Sequence, residues 1–390
     1  MLEEYLYDIG YSEEQIKSFQ KIYPPALYSE ATLLYNLKNL YHFFRRNGIE
    51  KKEFAEITMT IPSIILDSIE NIKIKIQELN SIGFSKLDTF YMIKSYPYIL
   101  KISNNKIKNQ MERLENLSFT KNSIVPLLAK CPSIIRMDSS LLQKKIQFLI
   151  DFGYSKKETI LIFTTAPSLF EKSITMLQKE MDEFHQIGFH KTDIIKTTTI
   201  LPELLLHSSN VLKTKFDTLM KYGYTEMDIV QIVKKVPFLL KDIYLEQIEV
   251  RLEYLISLGF NEEDIILITC NNPYIFFYSN ESIISKIQAL GSLGYLLEDI
   301  LKLLKNLPIL FGYSEETIKE KIKYYQIILV DPITSNNSKI LMFPLSLIKE
   351  RVQYLEKRKI KYTEENLFLD DITFDKKYNI TRDNLLKGEY

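Results

Sequence analysis

Apolar positions recur along the chain with helical spacing. Between residues 70 and 82, Ile72, Ile76 and Leu79 occupy positions i, i+4 and i+7, which is the stripe of an amphipathic helix. The same columns return further along as Leu142, Ile146 and Leu149 and as Ile248, Leu252 and Leu255. The polar positions between them form the opposite face. The pattern therefore predicts a series of similar helices, each with one buried face.

Two further markers keep a fixed phase with these helices. Prolines follow one another at intervals of 35 or 36 residues after a first interval of 38, at positions 24, 62, 97, 132, 167, 202, 237, 273, 308 and 344. Fourteen residues before nine of them stands a second marker: Gly10, Gly48, Gly83, Ser118, Gly153, Gly188, Gly223, Gly259 and Gly294. Self-similarity at this period is typical of a repeat protein.

Each marker has a local structural reason. Gly83 can end the first helix of its repeat, because a left-handed residue without Cβ meets no clash. Ser85 and Asp88 form a capping box that opens a second helix. Pro97 ends that helix by removing a hydrogen-bond donor, and the apolar pair Ile99–Leu100 behind it predicts a short single-turn element. A repeat is thus two helices and a turn.

One such repeat cannot cover its own apolar faces, so repeats must stack on their neighbours. The predicted fold is all-α, a single solenoid of about ten repeats over residues 1–344, closed by a capping helix and tail over residues 345–390. In the repeat ending at Pro344, Val330 takes the glycine position and a polar turn, 331–337, follows it. The closing helix is predicted from Leu345 to Lys359.

The repeat resembles that of the mTERF family, the mitochondrial transcription termination factors. The resemblance rests on segments such as 81–88 (SIGFSKLD) with 96–100 (YPYIL), and 257–264 (SLGFNEED), and on the closing stretch 348–355 with 374–378. It implies a curved, left-handed helical solenoid. It also implies binding of double-stranded nucleic acid, DNA or RNA, in regulating transcription, transcription termination or RNA maturation, in a mitochondrion or plastid.

The overall charge is balanced but its distribution is not. The 50 Lys and Arg residues equal the 50 Asp and Glu residues, which argues against a uniformly basic nucleic-acid binder. Residues 101–150 contain nine basic and three acidic residues, whereas residues 251–300 contain two basic and seven acidic ones. The acidic region would repel a phosphate backbone and is a candidate for contact with a protein partner.

One polar column, eight residues before the glycine marker, is mostly basic. We call it the cation column: Lys75, Gln110, Lys145, Glu180, Lys215, Arg251 and Lys286, with Arg351 at the equivalent point of the last helix. One cation per stacked repeat could follow a phosphate backbone. The same column could instead pair with helix C-termini or with the capping acids Asp88, Glu158, Asp228, Asp264 and Asp299.

A denser basic cluster lies in the third and fourth repeats: Lys101, Lys106, Lys108, Arg113, Lys121, Lys130, Arg136, Lys144 and Lys145. If nucleic acid binds, contact should centre here, although lysine-rich helices are often only solvated. Within the cluster, Lys108, Arg113, Arg136 and Lys144 join the cations of the column as predicted nucleic-acid contacts.

Nothing in the sequence indicates catalysis. No Walker loop, GxGxxG, HExxH or GxSxG motif occurs, the four histidines show no ligand spacing, and no metal or cofactor is expected. Cys131 and Cys270 are too far apart in sequence for a metal cluster and fit buried thiols in a reducing compartment. No membrane segment or presequence is apparent, so a soluble intracellular monomer is expected, cytoplasmic if the source is bacterial. The alternative function is a protein-binding scaffold without nucleic-acid binding.

Overall fold

The computed structural model describes residues 1–206, 209–241, 245–329 and 333–378, with side chains except at residues 209–212 and 245, and over these residues every regular element is helical. The first helices of the repeats are α1 (Leu2–Asp8), α3 (Glu30–Arg46), α5 (Ile69–Ile82), α7 (Asn104–Asn116), α9 (Ser139–Phe152), α11 (Ile174–Gln186), α13 (Ser209–Lys221), α15 (Leu245–Ser257), α17 (Asn280–Gly291) and α19 (Glu315–Leu329). The second helices are α2 (Glu13–Ile22), α4 (Lys51–Thr60), α6 (Lys86–Ser95), α8 (Lys121–Lys130), α10 (Lys156–Thr165), α12 (Lys191–Ile200), α14 (Glu226–Lys235), α16 (Glu262–Asn271) and α18 (Leu297–Asn306). The predicted all-α repeat fold is confirmed.

The single-turn elements are 3₁₀ helices, and all but the last begin at the marker proline. They are η1 (Pro62–Leu66), η2 (Pro97–Lys101), η3 (Pro132–Arg136), η4 (Pro167–Phe170), η5 (Pro202–Leu205), η6 (Pro237–Leu240), η7 (Pro273–Phe277), η8 (Pro308–Gly312) and η9 (Ser338–Met342). Each turn buries apolar side chains against the helices of its repeat; Ile134 and Ile135, for example, are at most 1% exposed. The closing segment contains α20 (Leu345–Lys357), α21 (Glu364–Leu367) and α22 (Asp371–Tyr378).

The marker residues adopt the predicted conformations. The eight marker glycines all have φ between 84° and 118°, and Ser118, which replaces the ninth, keeps the left-handed conformation at φ 79°. Complete capping boxes open α6, α10 and α14. His190 occupies the N-cap position of α12, but its side chain makes no capping hydrogen bond. The backbone thus follows the repeat even where the residue type changes.

Contacts divide the chain into two compact units. The N-terminal unit comprises residues 1–186 and 190–208, and the C-terminal unit comprises residues 187–189 and 209–390. Within each unit, second helices stack on second helices, as α6 does on α8 and α14 on α16. First helices do the same, as α5 does on α7 and α17 on α19. Several 3₁₀ turns, such as η2 and η3, pack against both helices of their own repeat.

A buried hydrogen bond recurs between neighbouring repeats. In three repeats where tyrosine follows the glycine marker, its hydroxyl meets a threonine four residues before the proline of the next repeat: Tyr11 with Thr58, Tyr154 with Thr198 at 2.6 Å, and Tyr224 with Thr269 at 2.7 Å. A fourth such tyrosine, Tyr295, has an isoleucine at the matching position, and its hydroxyl accepts from the Nε2 atom of Gln326 at 3.5 Å instead. Where another apolar residue follows the marker, the matching position is apolar too: Ile49 with Ile93, Phe84 with Leu128, Phe119 with Phe163, Phe189 with Val233, and Phe260 with Leu304. Buried polar atoms need partners, which explains why these three buried tyrosine hydroxyls each have a threonine opposite them.

The last repeat differs from the prediction at Pro344. This proline was expected to end a second helix, as the others do, and that expectation is wrong. Its 3₁₀ turn, η9, begins earlier at Ser338, and Pro344 is the N-cap residue of α20. Residues 333–337, between α19 and η9, contain no helix. Val330 and the start of the predicted polar turn lie outside the described residues.

Candidate nucleic-acid interface

Most members of the cation column lie inside the protein. Lys145, Lys215, Arg251, Lys286 and Arg351 expose between 2% and 9% of their surface. The first four lie on first helices of repeats, and Arg351 lies on α20 of the closing segment. A charged group taken out of water must find hydrogen-bond partners. The burial of these side chains therefore raises the question of what they contact.

Backbone carbonyls just after the 3₁₀ turn, or at its end, are the partners of the two most buried lysines. The Nζ atom of Lys145 donates to the carbonyl of Lys172, which follows η4. The Nζ atom of Lys215 donates to the carbonyl of Leu240, the last residue of η6. Burial lowers the pKa of Lys145. Both lysines thus fasten a first helix to the turn that closes the same repeat.

Two members of the column also reach the first residue of the next repeat's first helix. Arg251 donates to the carbonyl of Tyr278 and, at 2.5 Å, to the Oδ1 atom of Asn280. Lys75, which is half-buried, donates to the Oδ1 atom of Asn104 at 2.6 Å. Asn104 and Asn280 stand at equivalent positions, seven residues after their prolines. The same contact is therefore built twice, once in each unit.

Arg351 performs the equivalent role in the closing segment. Its Nη1 atom donates to the carbonyls of Leu367 and Leu369, both at 2.7 Å. Its Nη2 atom forms an ion pair with Asp371 at 2.8 Å. Because these partners belong to α21 and the residues that follow it, the arginine holds the closing segment against α20.

Two column members are not cations, and they behave differently. Gln110 replaces a lysine with an amide, and its Nε2 atom still donates to the carbonyls of Ile134 at 2.8 Å and Met137 at 3.2 Å. Glu180 has no proton to donate when ionised. It forms an ion pair with Lys172 at 3.3 Å, and its other carboxylate oxygen is buried without a hydrogen-bond partner. The position thus suits a side chain that donates a hydrogen bond, and ionised Glu180 cannot donate one.

One buried cation of this kind, Lys321, was not among the predicted contacts. It is buried, donates to the carbonyl of Leu341 at 2.7 Å, and lies 4.5 Å from the ring centre of Tyr313. It was missed because its repeat has no glycine marker from which to count. Counting thirteen residues from the preceding proline finds it, just as it finds Lys286, which contacts the hydroxyl of Ser285 at 3.1 Å.

The chemistry of the 3₁₀ turn explains why these donors recur. The last carbonyls of a helix have no partner within the helix and carry partial negative charge. Lysine, arginine and glutamine can all reach such a carbonyl from a neighbouring helix. The amine and guanidinium groups of the buried column are therefore already engaged inside the protein.

The other four predicted contacts have the opposite environment. Lys108 and Arg113 lie on α7, Arg136 ends η3, and Lys144 lies on α9, and all four are exposed. The rest of the basic cluster, apart from the buried Lys145, is exposed as well. All these residues belong to the N-terminal unit. This unit therefore presents a basic surface to solvent.

Asp138 lies among these cations. Its pKa is lowered, mainly by hydrogen bonds from Ser140, and the positive charges of Arg113 and Lys144 contribute. Arg113 also donates to the side-chain oxygen of Gln110 at 3.3 Å. Two of the exposed cations are therefore close enough to act on one carboxylate, and both could meet one anionic group of a ligand.

The acidic region occupies part of the C-terminal unit. Glu262 and Glu263 at the start of α16, and Glu298 and Asp299 at the start of α18, are exposed. Acidic residues in the first turn of a helix interact favourably with the helix dipole, so their presence here can also be explained by helix stability. Lys302 pairs with Glu298 at 2.7 Å. The surface that results is the electrostatic opposite of the basic cluster.

The described residues contain no group of three or more His, Cys, Asp or Glu side chains arranged to hold a metal ion. Cys131 and Cys270 are buried and unpaired, and burial raises the pKa of their thiols to about 11 and about 12. A thiol of high pKa is a poor nucleophile. None of the helices in the described ranges combines the length and apolarity that a membrane crossing requires.

Comparison with known families finds a match. Two overlapping segments, residues 4–241 and 218–372, match the family model described as mTERF. Together they span most of the 390 residues, including the basic cluster and the whole cation column. A comparison with curated proteins finds no match.

Proposed function

Because the chain belongs to the mTERF family, we propose that it binds double-stranded nucleic acid, DNA or RNA, through exposed cations of its N-terminal unit. The family consists of helical-repeat proteins that are generally associated with nucleic-acid binding and with regulation of transcription or RNA, and it is not known for enzymes. Such binding would serve transcription, its termination, or RNA maturation. In eukaryotes the family acts in organelles.

The exposure of Lys108, Arg113, Arg136 and Lys144 is the observation that supports this proposal. Phosphate contacts require cations that can reach the phosphates and displace the counterions condensed on the nucleic acid. Four buried members of the cation column, Lys145, Lys215, Arg251 and Arg351, already donate to carbonyls, so we assign them to holding their helices against neighbouring turns and segments. The phosphate role predicted for those buried members is not tested by the structure.

Charge reversal of exposed residues tests the proposal. With four phosphate contacts, the affinity for duplex DNA should fall with salt at a log–log slope of roughly −3.6. The triple variant Lys108→Glu, Arg136→Glu, Lys144→Glu should flatten that slope by roughly 2.7 and weaken binding to all sequences alike, because phosphate contacts carry no base information. Fluorescence anisotropy of labelled DNA and RNA duplexes at several salt concentrations measures both quantities.

A matched control changes the charge equally elsewhere. Lys221, Lys302 and Lys323 are exposed in the C-terminal unit, and their reversal to Glu should leave the salt slope near that of the unchanged protein. Equal losses in both triple variants would show that only net charge matters and would remove the assignment to the basic cluster. Absence of salt-dependent binding to either duplex would remove the proposal itself.

The acidic region supports the alternative, a protein-binding scaffold. Exposed Glu262, Glu263, Glu298 and Asp299 would fit a partner with a basic surface. This function becomes the better candidate if the unchanged protein shows no affinity for nucleic acid. Reversal of these four residues to Lys should then abolish capture of the partner, whereas reversal of the basic cluster should not.

A further inference from the structure

The first repeat lacks the buried apolar pair that follows the proline elsewhere. In the second repeat this pair is Ile64–Ile65, which is at most 1% exposed. In the first repeat Ala26 and Leu27 stand at the equivalent positions, and Leu27 is 78% exposed. The backbone forms a turn instead, in which the N–H groups of Leu27 and Tyr28 donate to the carbonyl of Pro24 at 2.9 and 3.1 Å. The first repeat therefore has no buried apolar pair after its proline.

A cavity of about 390 Å³ lies beside this turn. Its apolar wall includes Leu6 and Leu33, both of which are otherwise buried. Its polar lining includes the carboxylates of Glu3 and Glu30. Among the described residues that line the cavity, none has a cationic side chain. Met1 also lines the cavity with its α-ammonium near Glu30, so the cavity is apolar inside, with two carboxylates and one ammonium group at its edge.

Three aromatic rings complete the lining. The ring centres of Phe19 and Tyr23 are 4.8 Å apart, and those of Tyr23 and Tyr28 are 5.1 Å apart with their planes at 84°. The hydroxyl of Tyr23 donates to the carbonyl of Pro62, which fixes this ring. Tyr28 is half-buried. Two nearly perpendicular rings form a corner, and aromatic faces attract cations.

The carboxylate of Glu30 already attracts positive groups. Its Oε1 atom accepts the backbone N–H of Leu2 at 2.9 Å and lies 4.0 Å from the α-ammonium of Met1. Glu30 is largely exposed, so its attraction for a ligand would be partly screened. The aromatic corner is thus the larger attractive element, and the carboxylates add to it.

We propose that this cavity is a binding site for a small organic cation of the quaternary-ammonium class. The methyl groups of such a ligand would fill the apolar volume that Ala26 and Leu27 leave, and its charge would lie against the rings of Tyr23 and Tyr28. A small, fully hydrated metal ion would gain nothing from the apolar wall. The site lies outside the basic cluster, so it does not depend on nucleic-acid binding.

Titration of the full chain with choline tests the site. We expect saturable binding with a dissociation constant on the order of 1 mM, as suits a ligand of few atoms. The neutral isostere 3,3-dimethylbutanol has the same shape without the charge, and should bind about 5-fold more weakly or worse. Calorimetry or ligand-observed NMR can measure both. Equal affinity for the two ligands, or no saturable binding of choline, overturns the proposal.

Three variants locate the binding. Tyr28→Ala should weaken choline binding by about 10-fold, and Tyr28→Phe, which keeps the ring, should leave it within about 2-fold. Tyr35→Ala is the matched control, because Tyr35 is 68% exposed on α3 and does not line the cavity. Thermal melting of each variant verifies folding. Choline affinity that survives Tyr28→Ala in a folded chain places any binding elsewhere and overturns the proposal.

Discussion

Lys144 and Lys145 are neighbours in sequence and belong to two different regions of the protein. Lys144 belongs to the exposed face of α7–α9, where cations surround Asp138. Lys145, 3% exposed, belongs to the seam between first helices and 3₁₀ turns, where its ammonium donates to the carbonyl of Lys172. Adjacent residues on a helix point about 100° apart, which is enough to place one in solvent and one in the interior. The residue type alone therefore does not show whether a basic residue binds a ligand at the surface or stabilises the interior.

The largest expected effect is on the seam. Lys145→Glu should lower the free energy of unfolding by about 3 kcal/mol or more, because a buried carboxylate would face a carbonyl and a donor would be lost. Lys144→Glu should change it by less than about 0.5 kcal/mol, as is usual for exposed residues. Denaturant unfolding measures both. Similar losses in the two variants would contradict the division between seam and surface.

Variants of the same two lysines should also differ in their affinity for duplex nucleic acid. Lys144→Glu should weaken duplex binding, whereas Lys145→Gln should keep binding near its original value, because Gln110 shows that an amide can replace the cation in the seam. If Lys145→Gln weakens binding more than Lys144→Glu does, the column has a nucleic-acid role after all.

A second stability prediction concerns the Tyr–Thr contacts between repeats. Thr198→Val should cost about 1–3 kcal/mol, because it leaves the buried hydroxyl of Tyr154 without its partner. Tyr154→Phe should cost about 1 kcal/mol, since Thr198 still donates to the carbonyl of Ile194 at 2.7 Å. The double variant should cost less than the two together. Strict additivity in this cycle would show that the pair is not coupled.

Glu180 offers the reverse case, in which a change should stabilise. Burial raises the pKa of Glu180, Glu183 raises it further, and Lys172 opposes the shift. When the pKa of an acid is higher in the folded state than in the unfolded state, ionisation of that acid lowers the free energy of unfolding. This loss is absent below the unfolded pKa of about 4.3, and it grows as the pH rises towards and through the folded pKa. Glu180→Gln should therefore gain about 1 kcal/mol at pH 7.5 and little at pH 4. A gain that is equal at both pH values would point to packing instead of ionisation.

The smallest expected gain in stability is at Ser118. Its φ of 79° is a left-handed conformation that glycine adopts without strain. Ser118→Gly should raise the unfolding free energy by about 0.5–1 kcal/mol, despite the greater freedom of glycine in the unfolded chain. Thermal melting detects such a change. A lower melting temperature would mean that the serine side chain stabilises the turn by more than its backbone strain costs.

The positions at which helices and turns begin and end within one repeat could be predicted from the sequence. The glycine and proline markers and the Ser85–Asp88 capping box act on backbone atoms a few residues away, so their effect does not depend on the rest of the fold. The exception was Pro344, where the spacing matched but the described residues before it, 333–343, contain no second α-helix. A spacing rule fails when the element it measures is missing.

The sequence by itself therefore determined the repeat, its helices and turns, and the left-handed positions, because these follow from local sterics and hydrogen bonding. Only the tertiary structure decided which cations are exposed and which are buried. The sequence pattern predicts that a lysine on the polar side of an amphipathic helix is exposed to solvent. Lys145 and Lys215 are buried because a 3₁₀ turn covers them, and that turn lies more than twenty residues further along the chain. The same holds for Tyr154 and Thr198, whose hydroxyls meet only because successive repeats stack.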